Sequence, residues 1–274
     1  MITSRMRVVA VALVAMLALT AAAAANTRPA VRPPASVAKA AHILYCSDIT
    51  YPPEEFYRGS TPVGSDIDIG TAIARQMGVK AQFSNTGFDG IIAALLAKRC
   101  DAIISGMNDT AQRRHSVSFV DYLSVGQSLM VRKGNPEHIR TLADLSGKHV
   151  SVEVGTTNKT FLDQESTKLQ SESKQPITVE TFAKDTDAAA ALKTGKVDAY
   201  FGDSPVVAYY ISKDSSFAFG GQPINPIPVG IAVRKSDTQL HAAIQKAVTQ
   251  LYRNGTMKRI LAKWHMSAFA LRAA

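Results

Sequence analysis

Apolar positions in the first half of the chain alternate between strand-like runs and helix-like spacing. Ile43 to Cys46 is a short β-prone run, and Asp101 to Ser105 is typical of a buried strand. Ser65 to Met77 carries apolar residues at helical spacing and is closed by a glycine, and Asp89 to Lys98 repeats that helical pattern. This βαβα order predicts an α/β fold with a parallel sheet and crossover helices.

The second half of the chain echoes the first. His149 to Val154 predicts a strand, and a helix candidate begins at Asn158 after a Gly-Thr-Thr turn. The clearest echo sets Arg99 to Gly106 beside Lys196 to Asp203, because each segment has a basic residue, then Asp-Ala, then a strand that stops at a small residue. We therefore predict two similar lobes.

Two more predicted strands connect the lobes. Ser128 to Arg132 and Pro228 to Arg234 bracket the second unit, so the chain crosses to the second lobe and returns, which forms a hinge. Each lobe is expected to hold a mainly parallel sheet flanked by helices. The predicted organisation is a signal peptide over 1–25, a linker over 26–41, a discontinuous first lobe over 42–128 and 232–266, a second lobe over 129–231 with hinge strands at both ends, and a tail over 267–274.

The amino terminus has the layout of a secretory signal peptide. Two arginines precede an apolar run from Val8 to Leu19, and small residues end at Ala25, where we place cleavage. A membrane anchor is the alternative, but a spanning helix needs about 20 strongly apolar residues, and this run ends in weakly hydrophobic alanines. Asn26 to Ala41 contains prolines and lacks apolar periodicity, so it predicts a linker, with folding from about His42.

Charge and motif content argue against several function classes. The formal net charge is +9, and without the two arginines of the signal peptide 29 bases face 22 acids. The excess is spread along the chain rather than clustered with aromatics, which indicates a solvated surface and not a nucleic-acid footprint. The sequence contains no CxxC, HExxH or GxxxxGK[ST] motif, and its histidines are scattered. We expect no metal and no cofactor.

The two cysteines leave their pairing open. An oxidising compartment would let Cys46 and Cys100 form a disulfide if their Cα atoms came within about 7 Å of each other. Cys46 is predicted in mid-strand and Cys100 at a strand entrance. These positions favour two buried thiols over a disulfide.

Candidate binding residues follow the predicted strands. In open parallel sheets the ligand lies outside the carboxyl ends of the strands, so the residues just after each strand should face a cleft. The set is polar and small, with one base and several acids. Its members are Asp48 to Tyr51, Ser105 to Asn108, Glu153 to Thr157 and Gly202-Asp203, with Phe88 and Arg113 nearby.

Several of these segments, in this order, closely resemble motifs of the polar amino acid-binding proteins of ABC importers, solute-binding protein family 3. The resemblance runs from about His42 to Trp264. The motifs that carry it are Asp48-Ile49-Thr50-Tyr51-Pro52-Pro53, Gly64-Ser65-Asp66-Ile67-Asp68, Phe88-Asp89-Gly90, Asp101-Ala102-Ile103-Ile104-Ser105-Gly106-Met107, Gly155-Thr156-Thr157, Val197-Asp198-Ala199 and Gly202-Asp203-Ser204-Pro205.

That resemblance implies a two-lobed periplasmic-binding-protein fold of type II and a role for each cleft residue. Asp203 would hold an α-ammonium and Arg113 an α-carboxylate, since a guanidinium binds a carboxylate through two parallel hydrogen bonds. Tyr51 and Phe88 would cover the ligand. Further hydroxyl, amide and backbone donors are expected from Ser105, Gly106, Asn108 and Thr157.

The region around the ligand's side chain is predicted to be acidic. Asp48 and Glu153 are expected there, which would favour a cationic or an amide side chain. The chain also departs from the family pattern, because Glu54 stands where Phe is frequent and Asn108 where Thr or Ser is frequent. We expect Glu54 to alter the cleft rim.

Each cleft residue also has a plainer interpretation. Arg113 is adjacent to another arginine and could be a solvated surface base. Asp203 could cap the helix that follows it, and Thr157 could simply begin a helix. Tyr51 and Phe88 could be ordinary core aromatics.

The resemblance implies an exported periplasmic protein, expected to be a monomer, that delivers an amino acid to an ABC permease in the inner membrane. The alternative is an enzyme on the same scaffold, similar to cyclohexadienyl or arogenate dehydratases, for which Glu54 or Glu153 would be the general acid. A sensor module is a third possibility, although the sequence offers neither an output domain nor a second apolar run long enough to span a membrane. We expect a binding protein and not an enzyme.

Overall fold

The structure is a computed structural model that describes residues 29–271. The predicted signal peptide, the start of the predicted linker and the last residues of the predicted tail lie outside this range. Its strands are β1 His42–Ser47, β2 Thr50–Tyr51, β3 Glu55–Arg58, β4 Thr61–Val63, β5 Lys80–Asn85, β6 Ala102–Ile103, β7 Val117–Arg132, β8 His149–Glu153, β9 Thr178–Phe182, β10 Ala199–Asp203, β11 Phe217–Phe219 and β12 Ile224–Arg234.

Most of the helices lie between these strands, and the first precedes β1 while the last two follow β12. The helices are α1 Ala35–Ala40, α2 Ser65–Gln76, α3 Ile91–Leu96, α4 Ala111–Arg114, α5 Thr157–Ser171, α6 Asp185–Lys193, α7 Ser204–Lys213, α8 Thr238–Arg253 and α9 Thr256–Lys263. Short 3-10 helices cover Phe88–Gly90, Leu142–Leu145 and Ser267–Phe269. Within residues 29–271, no helix is both long and apolar enough to cross a membrane.

The main sheet joins two parallel groups of strands. Its order is β5-β1-β6-β12-β7-β10-β8-β9, with β11 paired to β7. The strand β1 runs parallel to β5 and β6, and β8 runs parallel to β9 and β10. Between these groups β7 and β12 pair with each other in antiparallel fashion. A separate antiparallel sheet, β2-β3-β4, forms a small hairpin region next to β1.

The connecting strands are longer than the sequence predicts. The predicted strand from Ser128 to Arg132 is only the last third of β7, which begins at Val117. Polar residues such as Asp121 interrupt the apolar run in its first half, so periodicity alone gave no strand there. Pairing of that half with residues 227–234 of β12 satisfies its backbone groups and makes it a strand.

The hydrophobic core divides along these two strands. Val125 on β7 and Val229 on β12 pack into a cluster with α2 and α8. Leu129 on β7 and Ile224 on β12 pack into another cluster with α5. We call the body around the first cluster lobe 1, the body around the second lobe 2, and the gap between them the cleft. The chain passes from one core to the other along β7 and β12.

The predicted linker is in part a folded segment. Ala35–Ala40 forms α1, and the side chains of Val31 and Val37 are buried in the core of lobe 1. The backbone N–H of Val31 donates to the carbonyl of Gln76 at 2.9 Å. The prediction that folding begins at His42 is therefore wrong. The prolines interrupt any apolar periodicity in this segment, and its two buried valines pack in a cluster with helices that are distant in the sequence.

The two cysteines form a disulfide, which corrects the preference for free thiols. Cys46 lies in β1, directly opposite Ile103 in the neighbouring parallel strand β6. Cys100 lies just before β6, and the Cα atoms of the two cysteines are 5.6 Å apart. Their predicted positions, mid-strand and strand entrance, are right. The preference failed because only the pairing of β1 with β6 decides how close the two residues come.

Candidate functional site

The predicted cleft residues come together where the parallel strands of both lobes end. Tyr51, Phe88, Gly106 and Asn108 from lobe 1 line a small cavity together with Glu153 and Asp203 from lobe 2. Thr156 and Asn158, at the start of α5, complete its lining. Arg113 and Thr157 line the adjoining groove, and Asp48 and Ser105 lie behind the cavity wall.

The two lobes contact each other across the cleft. The hydroxyl of Thr157 donates to Oδ1 of Asn108 at 2.5 Å. The backbone N–H of Asp203 donates to the hydroxyl of Tyr51 at 3.3 Å. A methyl group added at Gly155 would lie 2.8 Å from the Cα of Asp89 in lobe 1, so a side chain there would not fit. The structure therefore has the cleft closed.

Arg113 lies in this closed cleft rather than on a solvated surface. It comes from the four-residue helix α4 and is half-buried. One guanidinium N–H donates to the carbonyl of Asn108 at 2.8 Å, and another donates across the cleft to the carbonyl of Gly155 at 3.1 Å. The guanidinium carbon stands 5.3 Å from the ring centroid of Phe88. Burial lowers the pKa of Arg113 to about 10, so it remains charged at neutral pH.

Asp203 faces Arg113 from the end of β10. It occupies the position before α7, yet its side chain makes no capping bond within the part of the chain that the structure describes. Its Oδ1 instead accepts from the amide of Asn158 at 3.1 Å. Burial raises the pKa of Asp203 to about 6, while Asn158, Tyr51 and the charge of Arg113 oppose that rise. Asp203 is therefore mostly ionised at neutral pH and suited to a buried cation.

Asp48 and Glu153 form a second acidic region. Asp48 follows β1 in lobe 1, and Glu153 ends β8 in lobe 2; each is only 3% exposed. Burial raises the pKa of both carboxyls, and the negative charges of Asp185 and Asp48 add to the effect on Glu153. Asp185, at the start of α6, accepts from the hydroxyls of two tyrosines, and burial raises its pKa to about 7.

Two predicted ligand donors are already used inside lobe 1. The hydroxyl of Ser105 donates to Glu55 at 2.7 Å, and the backbone N–H of Gly106 donates to Asp66 at 2.9 Å. Gly106 has φ +50, and a Cβ there would lie 3.2 Å from the ring of Tyr51, so the position requires glycine. These groups shape the wall of the cavity beneath Tyr51.

Glu54 is buried instead of lying at the rim of the cleft, where we expected it. Only 2% of the residue is exposed. Its side chain reaches toward Gly106, with Cγ 3.9 Å from where a Cβ would stand. Burial, and then the charges of Asp66 and Asp203, raise the pKa of Glu54 well above its usual range. Burial therefore favours the protonated, uncharged form of Glu54, which lies under the cavity wall.

Sequence reasoning missed residues that orient the cleft side chains. Gln127 on β7 donates to Oδ1 of Asn158 at 2.7 Å, which leaves the amide nitrogen of Asn158 to face Asp203. Asn158 directly follows the Gly-Thr-Thr turn, so its position was a usable signal. Gln127 lies inside an apolar strand, and nothing local marked it.

No group of three or more His, Cys, Asp or Glu side chains could hold a metal ion within the described range 29–271. The predicted acids of the cleft fall into two pairs of neighbours, with Asp203 near Arg113 and Asp48 near Glu153. A ligand that spans the cavity would therefore meet a base and an acid at one end and two acids at the other.

Comparisons with known proteins agree with this architecture. Residues 43–267 match the sequence model of the bacterial extracellular solute-binding proteins, family 3. ABC transporter arginine-binding protein 1 of Escherichia coli (strain K12) is 30% identical over 223 residues, which is 78% of this chain and 87% of the relative. A mutant of ArgBP from T. maritima is 34% identical with a TM-score of 0.77, over 84% of this chain and 97% of that chain.

A further solved structure is an ancestral amino acid-binding protein described as a precursor of cyclohexadienyl dehydratase. It is 30% identical with a TM-score of 0.76, over 84% of this chain and 97% of that chain. The two-lobed α/β fold predicted from the sequence is confirmed by these likenesses. The chain belongs to the bacterial extracellular solute-binding proteins, family 3, which places it among the amino acid-binding proteins of ABC transporters.

Proposed function

We propose that this protein binds a basic amino acid such as arginine between its lobes and delivers it to an ABC permease. The observation that carries the proposal is the distribution of buried charge along the cavity. Asp203 lines the cavity with Arg113 near it in the adjoining groove, and Glu153 lines the cavity with Asp48 near it behind the wall. A basic amino acid has the complementary pattern, with an α-carboxylate and an α-ammonium at one end and a cation at the other.

The α-amino acid end would be held by groups that already have suitable neighbours. Arg113 has a planar fork of donors and is stacked on Phe88, so a carboxylate could be bound through two hydrogen bonds. Asp203 is kept largely ionised by Arg113 and Asn158, so it can pair with an ammonium. Tyr51 and Phe88 would form the walls on either side of the ligand's carbon chain.

Closure over the ligand would use the β7–β12 pair as the hinge. The contacts from Thr157 to Asn108 and from Arg113 to Gly155 exist only when the lobes meet. A ligand that touches both lobes adds to these contacts and shifts the population toward the closed form. The closed surface is what we propose the permease recognises. We further propose export to the periplasm and a monomeric state.

Calorimetric titration of residues 26–274, freed of co-purified ligand by unfolding and refolding, tests this proposal. Arginine, lysine and ornithine should bind with one-to-one stoichiometry, and more tightly than glutamine. Asp48→Asn should weaken the binding of arginine more than the binding of glutamine. Asp187→Asn, which changes an exposed carboxyl in the first turn of α6, is the matched control and should leave both unchanged. Absence of binding to any amino acid would refute the proposal.

The charge pattern argues against a dehydratase acting on a prephenate-like acid. Such a substrate carries two carboxylates. In a largely dry cavity these would lie close to the buried carboxyls of Asp48, Asp203 and Glu153, which is unfavourable. Prephenate and arogenate belong in the same titration series. Turnover of either by the purified protein would reverse this conclusion.

A further inference from the structure

Two carboxyl groups from different lobes form the acidic end of the cavity, with Glu153 in its lining and Asp48 behind its wall. Asp48 follows β1 in lobe 1, and Glu153 ends β8 in lobe 2. Both are 3% exposed, so each has lost nearly all contact with bulk water. They act on each other strongly enough that each affects the pKa of the other. Two ionised carboxylates in such a place would repel each other.

Hydrogen bonding makes the two carboxyls different. Both oxygens of Asp48 accept a bond within lobe 1, since Oδ1 accepts from the hydroxyl of Thr50 and Oδ2 from the backbone N–H of Phe88, each at 2.7 Å. These bonds favour the ionised form of Asp48. Buried Oε1 of Glu153, by contrast, has no hydrogen-bond partner among residues 29–271. Glu153 is therefore the carboxyl of the pair that holds a proton when no cation is present.

Burial and the neighbouring carboxyls raise the pKa of Glu153, and a hydrogen bond from the backbone N–H of Asp185 opposes them. Asp185 faces it from the start of α6 and Asp48 from lobe 1, and both carboxyls disfavour a negative charge on Glu153. Tyr51 and Tyr210 are the other titratable groups near it, and burial keeps both phenols neutral by raising their pKa. On the far side of Asp48 the nearby charge is that of Asp89.

Arg113 acts on the opposite end of the cavity, where it lowers the pKa of Asp203. Among the described residues, none of the groups that shift Glu153 is basic. The positive charge that would balance an ionised Glu153 must therefore come from a bound molecule.

We propose that a proton on Glu153 and the cationic side-chain group of the ligand compete for the same place between Glu153 and Asp48. When a guanidinium or ammonium group enters, the O–H bond of Glu153 breaks, its proton passes to the solvent, and the carboxylate pairs with the cation. Glu153 thereby determines specificity, because a neutral amide or urea group cannot displace the proton. This inference rests on the proposed function and refines it.

The consequence is a ligand affinity that depends on pH for one class of ligand. Release of one proton changes the affinity by up to tenfold per pH unit in the range where free Glu153 is protonated. Affinity for a cationic ligand should fall as the pH is lowered. Asp203, with a pKa of about 6, also titrates in this range, but it pairs with the α-ammonium that all amino acids share. The difference between two ligands therefore reports on the acidic end of the cavity, where Asp48 and Asp185 also have raised pKa values, and the variant Glu153→Gln separates Glu153 from them.

Arginine and citrulline provide that comparison, because citrulline replaces the guanidinium by a neutral urea group of nearly the same shape. Both are titrated into the full mature chain between pH 5 and pH 8, in pairs of buffers with different ionisation enthalpies. We expect arginine to lose affinity more steeply than citrulline toward acid pH, by up to tenfold per unit, and to release more protons. Equal slopes and equal proton release for the two ligands would overturn the proposal.

Glu153→Gln replaces the titratable carboxyl group by an amide that does not titrate, and it keeps the shape of the side chain. We expect this variant to bind arginine more weakly at pH 8 and to show the same pH slope for arginine as for citrulline. If arginine affinity still depends on pH more steeply than citrulline affinity in this variant, the released proton comes from another group and the proposal fails. Should the variant not fold, equal slopes for the two ligands on the unaltered chain still overturn the proposal. If no amino acid binds at all, the proposed function fails as well, whereas tight binding of arginine without extra proton release refutes this inference alone.

Discussion

Substitution of Arg113 by alanine tests the orientation of the ligand in the cleft. In the closed structure the guanidinium donates to a carbonyl in each lobe, at 2.8 Å to Asn108 and at 3.1 Å to Gly155. The substitution removes a bond between the lobes and the partner proposed for the α-carboxylate. Truncation of one partner of a buried charge pair costs roughly 2–5 kcal/mol. Affinity should therefore fall by about thirtyfold to several thousandfold.

The loss should also depend on pH. Burial raises the pKa of Asp203 to about 6, and the positive charge of Arg113 opposes that rise. Without Arg113 the pKa of Asp203 is higher, so more of it is protonated at neutral pH and unable to pair with an α-ammonium. The affinity ratio between the unaltered protein and Arg113→Ala should be larger at pH 6.5 than at pH 8. These pH values lie about one-half and about two units above the pKa of Asp203 in the unaltered protein.

Calorimetric titration with arginine at both pH values measures this effect. Arg75→Ala is the control, because Arg75 is an exposed arginine in the last turn of α2 and should not affect binding. Circular dichroism and thermal unfolding establish that both variants fold. An affinity of Arg113→Ala within threefold of the control would remove Arg113 from the site and refute the reasoning.

Three further predictions concern the disulfide, cleft closure and pH-dependent stability. The disulfide closes a loop with a sequence separation of 54, so Cys100→Ser should lower the free energy of unfolding by about 4 kcal/mol in the chain-entropy account, and an unchanged denaturant midpoint would contradict this. Gly155→Ala should weaken ligand binding and leave the liganded protein less compact in solution scattering, because the added methyl group would clash with Asp89. Gly134→Ala is the control for backbone strain, because Gly134 has a similar φ and no atom lies near its added methyl group. Burial raises the pKa of Asp185 to about 7, so this carboxyl binds its proton more tightly in the folded than in the unfolded protein. The ligand-free protein should therefore gain stability as the pH falls from about 7 toward 4. Asp185→Asn should remove that part of the pH dependence of the free energy of unfolding.

The positions of most cleft residues could be predicted because they depend on local pattern. Apolar runs mark where parallel strands end, and ligands bind beyond those ends, so Asp48, Glu153 and Asp203 were found before their contacts were known. The roles of Ser105 and Gly106 could not be found in this way. Their donors are satisfied by Glu55 and Asp66, which approach through the folding of the β2-β3-β4 sheet and the start of α2.

The sequence by itself determined the alternation of strands and helices, the repetition of two lobes and the chemical types at the strand ends. These follow from side-chain periodicity and turn chemistry, which act over a few residues. Only the tertiary structure decided that Cys46 and Cys100 pair, that Val31 and Val37 are buried, and that Oε1 of Glu153 has no hydrogen-bond partner among the described residues. Each of these depends on distances between segments far apart in the chain, and such distances are set when whole strands and helices pack together.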